Sequence, residues 1–112
     1  PGNGYFLISN FDQSGSRINI APNIVDSTIQ LDNTGAKYTL YNNSGSIADT
    51  ADDGSGAPFA GSNVVPKKSM ERNTTPGNGS LSTNWHSATT HTNMDGSTES
   101  DEFGTPNAVN VP

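Results

Sequence analysis

The sequence contains no cysteine, which excludes disulfides, thiolate metal ligands and a thiol nucleophile. Large apolar residues are scarce: Leu, Ile, Val and Phe supply 19 of 112 residues, a share at which any core is thin and disorder competes with folding. Charge is scarce too, with 5 basic and 11 acidic residues for a net charge of -6, too little for the self-repulsion that keeps chains open. No run approaches the ~20 apolar residues that span a bilayer, no useful stretch has a helical period, and no long fixed repeat occurs. What is plentiful is Asn, Ser, Thr and Gly, 52 residues in all. This composition predicts one loop-rich, all-β domain over residues 1–112, of a kind suited to an exported protein. Residues 1–4 lack the basic and apolar regions of a signal peptide, so an export signal is expected upstream of Pro1.

Along the chain, Pro1-Gly2-Asn3-Gly4 is turn chemistry opening onto Tyr5-Phe6-Leu7-Ile8, a run expected to be a strand buried on both faces. Arg17-Ile18-Asn19-Ile20 alternates, with both isoleucines on one face. Residues 28–31, 37–41 and 46–50 read as three strands of a meander, separated by Asp32-Asn33-Thr34-Gly35 and Asn42-Asn43-Ser44-Gly45. Its inward set is expected to be Ile29, Leu31, Tyr38, Leu40 and Ile47. Residues 52–63 form a loop anchored by Phe59, and 68–72 form a further strand with Met70 toward the core and Glu71 and Arg72 on the rim. Beyond residue 73 the chain is again loop-rich, and the only tryptophan, Trp85, is expected to bury with Met70, Leu40 and Ile47.

Three pieces, Lys67 to Arg72, Asn84-Trp85-His86 and Gly104-Thr105-Pro106-Asn107-Ala108, follow in an order that resembles the lamin tail domain. That family is an immunoglobulin-like β-sandwich found in nuclear lamins and in many bacterial exported or surface proteins. The opening 1–9, the pair Ile29-Gln-Leu-Asp-Asn-Thr-Gly and Tyr38-Thr-Leu-Tyr, and Ser46-Ile-Ala-Asp continue the match over most of the chain. The resemblance implies an immunoglobulin-like antiparallel sandwich, incomplete because the family's first strands would precede Pro1, with structural roles for Met70, Arg72, Trp85 and Pro106. Pro106-Asn107 replaces the family's usual proline-glycine, a mild change because Asn tolerates left-handed backbone angles. The implied function is a non-catalytic structural or interaction module of an extracellular or cell-surface protein. Its implied partners are a protein or cell-surface component and upstream domains of the same chain.

Each chemistry-bearing residue type also has a plainer role. Asp49, Asp52 and Asp53 beside Gly54, and Asp95 beside Gly96 with Glu99, are oxygen-rich loops of the kind calcium chooses, although neither has the twelve-residue pattern of helix-loop-helix sites. Solvated acidic turns are the simpler reading, so no metal or other cofactor is expected. His86 and His91 lack a diagnostic zinc spacing. No Gly-x-Ser-x-Gly elbow frames a serine, and no catalytic residue is assigned. Lys67, Lys68 and Arg72 form one small basic cluster in an acidic chain, a balance that argues against nucleic acid. Trp85 with Tyr5, Tyr38 and Tyr41 could make a sugar platform. Asn42, Asn73 and Asn78 stand in glycosylation acceptor triplets. The alternatives to the interaction module are a calcium- or carbohydrate-binding sandwich, or an accessory domain attached to a secreted hydrolase.

Overall fold

With turn formers making up nearly half the chain, strands can only be short, and the longest has five residues. The computed structural model describes residues 4–95 and 102–111. Within them run β1 (Ile8–Ser9), β2 (Ile24–Val25), β3 (Tyr38–Tyr41), β4 (Ile47–Ala51), β5 (Lys67–Lys68), β6 (Met70–Arg72), β7 (Trp85–Ser87) and β8 (Glu102–Phe103). A single 3₁₀ turn, Ser82–Asn84, leads into β7. The protein is all-β. β3 pairs with β4 and β6 with β7 in antiparallel fashion, whereas β1 with β2 and β5 with β8 run parallel. The uniformly antiparallel arrangement expected from sequence therefore does not hold. The connections 10–23 and 69–101 give the chain the length that a parallel return requires.

The meander reduces to one hairpin. Residues 28–31 do not form a strand, because Asp26 Oδ1 accepts the Thr28 amide at 2.9 Å and its hydroxyl at 2.6 Å, closing a turn where pairing would begin. Leu31 ends 75% exposed instead of inward. The segment is tied down by Tyr38, whose hydroxyl donates to Gln30 O and accepts from the Asp32 amide. At the β3–β4 turn, Asn42 Oδ1 accepts the Ser44 and Ser46 amides, and Gly45 takes φ 81°. The same device recurs through the chain: Asp12 binds the Ser14 hydroxyl, Asp53 the Ser55 amide and hydroxyl, and Asn78 the Ser80 amide. Two of the three glycosylation-type asparagines, Asn42 and Asn78, are thus turn residues.

The strand expected over 68–72 is split at Ser69, where the chain changes partners. Ser69 N donates to Phe103 O and Ser69 O accepts from Ala88 N, so β5 pairs with β8 and β6 with β7. A side chain at Gly61 would meet the Lys68 carbonyl, and φ 94° there suits only glycine.

The core is polar to an unusual degree. Among the described residues no large side chain is fully buried; Ala88 is the buried apolar residue, and Asp52, Glu71 and Thr105 are buried polar ones. Leu40 and Ile47, expected inside, are exposed, as are Tyr5, Phe6 and Ile8 of the opening run. Among the described residues the hairpin and β1–β2 each pair only as two-stranded sheets, and these side chains remain in water. The accessible surface is 7181 Å², against about 5,900 Å² for an average folded monomer of this mass.

Candidate interaction site

The three pieces on which the family resemblance rests come together in space. β6 pairs with β7 through Glu71 opposite His86 and Arg72 opposite Trp85. From the C-terminal piece, Thr105 Oγ1 donates to Glu71 Oε1 at 2.8 Å and Asn110 Nδ2 to Arg72 O at 3.0 Å. Glu71 was expected on the rim and is 5% exposed. Alternation along β6 puts it opposite to Met70, on the face where the His86 and Thr105 side chains meet it. A buried carboxylate is tolerated only with partners, and Thr105 and Ser69 supply hydroxyls to its Oε1.

Its second oxygen faces His86. Asn73 Nδ2 donates to Thr83 O, which leaves Asn73 Oδ1 to accept from His86 Nδ1 at 2.8 Å. His86 Nε2 then lies 3.4 Å from Glu71 Oε2. Both atoms are buried, and neither has a hydrogen-bond partner among the described residues.

Arg72 is the cross-brace. Its Nη2 donates to both oxygens of Asp49 at 2.7 and 2.8 Å and to Thr50 O at 3.1 Å, and Nη1 donates to Gly77 O. The guanidinium stacks 4.6 Å from the Trp85 ring centroid, and Trp85 Nε1 donates to Gly79 O. The planar fork with an aromatic face beneath it is a task lysine cannot perform. Thus Arg72 ties β4 to β6 and β7 instead of lying on the rim. Trp85 and Met70 are half-buried, and neither Leu40 nor Ile47 joins them. Pro106 contributes its carbonyl to Asn93 Nδ2, and Asn107 adopts φ 57°, the left-handed angle that asparagine tolerates.

The calcium candidates are not gathered. Asp49 serves Arg72, and Asp53 closes its own turn. Asp52, 3% exposed and at φ 67°, accepts the Asp53 amide on Oδ1 and the Phe59 amide on Oδ2. Asp95 N donates to Arg17 O, and Glu99 lies outside the described residues. Among the described residues no three His, Asp or Glu side chains form a metal-binding group. Of the basic cluster, Lys68 Nζ sits over the Phe103 ring and Arg72 is turned inward. His91 packs edge-on against Phe103. No helix among the described residues is long and apolar enough to cross a membrane.

Beside this knot, between the hairpin and residues 57–63, opens a cleft of about 670 Å³. Tyr38, Met70 and Trp85 line its floor, and Asp32, Asn33 and Asn63 stand among its walls. Sequence reasoning had Trp85 and Tyr38 but not the cleft, because it forms where the 57–63 loop folds back on Ser87 through Gly61 N. A scan against protein-family models, a search of curated proteins and a search of solved structures each found no match to this chain.

Proposed function

We propose that the chain is a non-catalytic structural or interaction module of an exported or cell-surface protein, built on an immunoglobulin-like plan of the lamin tail type. The observation that carries this reading is the apolar β surface left in water. Tyr5, Phe6, Ile8, Phe11, Ile24 and Val25 cluster in sequence around β1 and β2, and Leu40, Tyr41 and Ile47 lie on the hairpin. Apolar side chains left in water in this number suit a surface that other protein covers. The lamin tail reading is supported by the meeting of Glu71, Arg72, Trp85 and Thr105, which gives the resembling pieces a common structural purpose. Asp52, Glu71 Oε1 and Thr105 bond to backbone amides or to one another, an arrangement that suits a scaffold. The partner is a protein or a surface component, not nucleic acid. Labelling of intact producing cells, or of their medium, by antibody against the chain is the expected result; confinement to the cytosolic fraction would contradict the surface assignment.

The cleft supports a second reading, a carbohydrate-binding module. Sugars present a CH-rich face to aromatic rings and hydroxyls to carboxylates and amides, and Tyr38, Trp85, Asp32 and Asn33 line the same cavity. A glycan that binds there raises the melting temperature by mass action and loses that effect in Asn33→Ala. A glycan panel that leaves the melting temperature unmoved would eliminate this reading.

A further inference from the structure

We propose that Asn78 is a site of spontaneous covalent modification, deamidating through a succinimide closed by the Gly79 nitrogen, and that the product releases residues 77–80 from β4 and Trp85. The reaction needs a carboxamide, an unhindered peptide nitrogen next to it and a turn that brings the two together. Asn78 Oδ1 accepts the Ser80 amide at 2.9 Å, the local bond that curls an asparagine's carboxamide back over the peptide that follows it. That bond also draws electrons from Cγ. Gly79 places no Cβ beside the attacking nitrogen, and among the described residues no hydrogen bond holds its N–H. Asn78 is exposed, so base and water reach it. Two other turns of this kind each lack one requirement. Asn42 makes the turn but precedes Asn43, and Asp53 precedes Gly54 but carries a carboxylate, which resists a nucleophile. Asn3, which also precedes glycine, lies outside the described residues.

In the first step the Gly79 nitrogen bonds to Asn78 Cγ, the Cγ–Nδ2 bond breaks, and Nδ2 leaves as ammonia with the proton that Gly79 gives up. Water then opens the ring. Attack at Cγ gives aspartate, and attack at the main-chain carbonyl carbon gives isoaspartate, whose backbone runs through Cβ and Cγ. Water is the sole co-reactant. The fold has no slack for that longer backbone. Gly79 is buried, its carbonyl accepts the Asp52 amide at 3.1 Å and Trp85 Nε1 at 2.9 Å, and a side chain there would run into the Thr50 carbonyl. The Asn78 carbonyl is held as well, by the Leu81 amide and Asn84 Nδ2. Isoaspartate takes that carbonyl out of the chain as a free carboxylate and inserts a methylene before Gly79, so the bonds on the two sides of the peptide cannot both be kept.

Mass spectrometry of Asn3→Gln, a change that removes the other Asn-Gly pair, tests the proposal on the folded chain kept in mildly alkaline buffer, with the same chain in urea as reference. The expected result is a gain of one mass unit in both samples, mapped by peptide fragmentation to residue 78 and divided between aspartate and isoaspartate, at a rate that rises with pH. Adding Asn78→Gln, whose larger ring closes far more slowly, should abolish the gain over the same time, and the mapping stands even where that variant fails to fold. The melting temperature of the folded sample should fall as isoaspartate accumulates. A folded chain that stays unchanged, whether or not the urea sample converts, would overturn the proposal. So would conversion first at Asn42 or another asparagine, or isoaspartate formed without a fall in melting temperature. Each of these outcomes leaves the surface-module reading standing, because that reading is decided by location.

Discussion

Glu71 shows what a local pattern can and cannot reveal about a single residue. The sequence separates it from Met70 but sets it on the rim with Arg72, whereas it is buried by Thr105 and His86, which arrive from distant sequence. Removing a buried acceptor's partners costs more than replacing it by a shape that still bonds. Glu71→Gln should therefore be mild, since its carbonyl can still accept from Thr105 and its amide can face His86. Glu71→Ala should cost about 2–3 kcal/mol in urea unfolding. Arg72→Lys loses the fork and the stacked plane and should cost more than 1 kcal/mol, while Asp49→Ala, on the exposed side of that pair, should cost less than about 1 kcal/mol. Trp85→Ala should cost about 3 kcal/mol through lost packing. Millimolar calcium should leave the melting temperature unchanged, because Asp49, Asp52 and Asp53 already have partners. Arg72, expected on the rim, is turned inward over Trp85, and neither its place nor the buried carboxylate was legible, because their partners are non-local.

Three other carboxylates give a pH dependence with a defined sign. Asp12 is held below the ordinary carboxylate range by the Ser14 hydroxyl and the Gly15 amide, Asp26 by the Thr28 hydroxyl and amide, and Asp53 by the Ser55 hydroxyl and amide. A depressed folded value means that their contribution is fully present above the unfolded value of about 3.9. It is lost as pH falls through the folded values. Melting temperature should thus decline below about pH 4, and Asp26→Asn should flatten that decline. A decline unchanged in Asp26→Asn would remove Asp26 from the account.

At the scale of elements, the hairpin was visible because Asn42 and Gly45 carry turn chemistry that needs no distant partner. The strands over 37–41 and 46–50 appear as β3 and β4 within a residue of their expected bounds. The strand over 28–31 was misjudged because its alternation is real but its entry is captured by the Asp26 turn, and a strand without a paired neighbour has nothing to hold it. β2, β7 and β8 were missed: two-residue pairings such as Ile24–Val25 and Glu102–Phe103 carry too little pattern to be read locally. Gly79→Ala probes how the elements dock. The Thr50 carbonyl and Arg72 leave no room for a side chain there, so this change should lower stability by about 2–3 kcal/mol through overpacking. Gly45→Ala, with nothing nearby but φ 81°, should cost about 1 kcal/mol through backbone strain alone. Chemical unfolding of both variants should show that order.

For the whole molecule, the all-β class followed from composition, and the thin core from the count of apolar side chains. What composition could not show is that the little apolar material present would be spent on the surface while polar side chains filled the centre. A polar knot of β6, β7 and residues 103–110 holds the fold, while Ile8 of β1 and Leu40 and Tyr41 of β3 stay in water. Native-state hydrogen exchange on dilute protein tests this most directly, because amide protection ranks segments by local stability. The account predicts the slowest exchange at Glu71, Arg72, His86 and Ala88, with residues 5–9 and the outer amides of β3 exchanging quickly. Strongest protection in residues 5–9 and 38–41, with a labile β6–β7 pair, would contradict it.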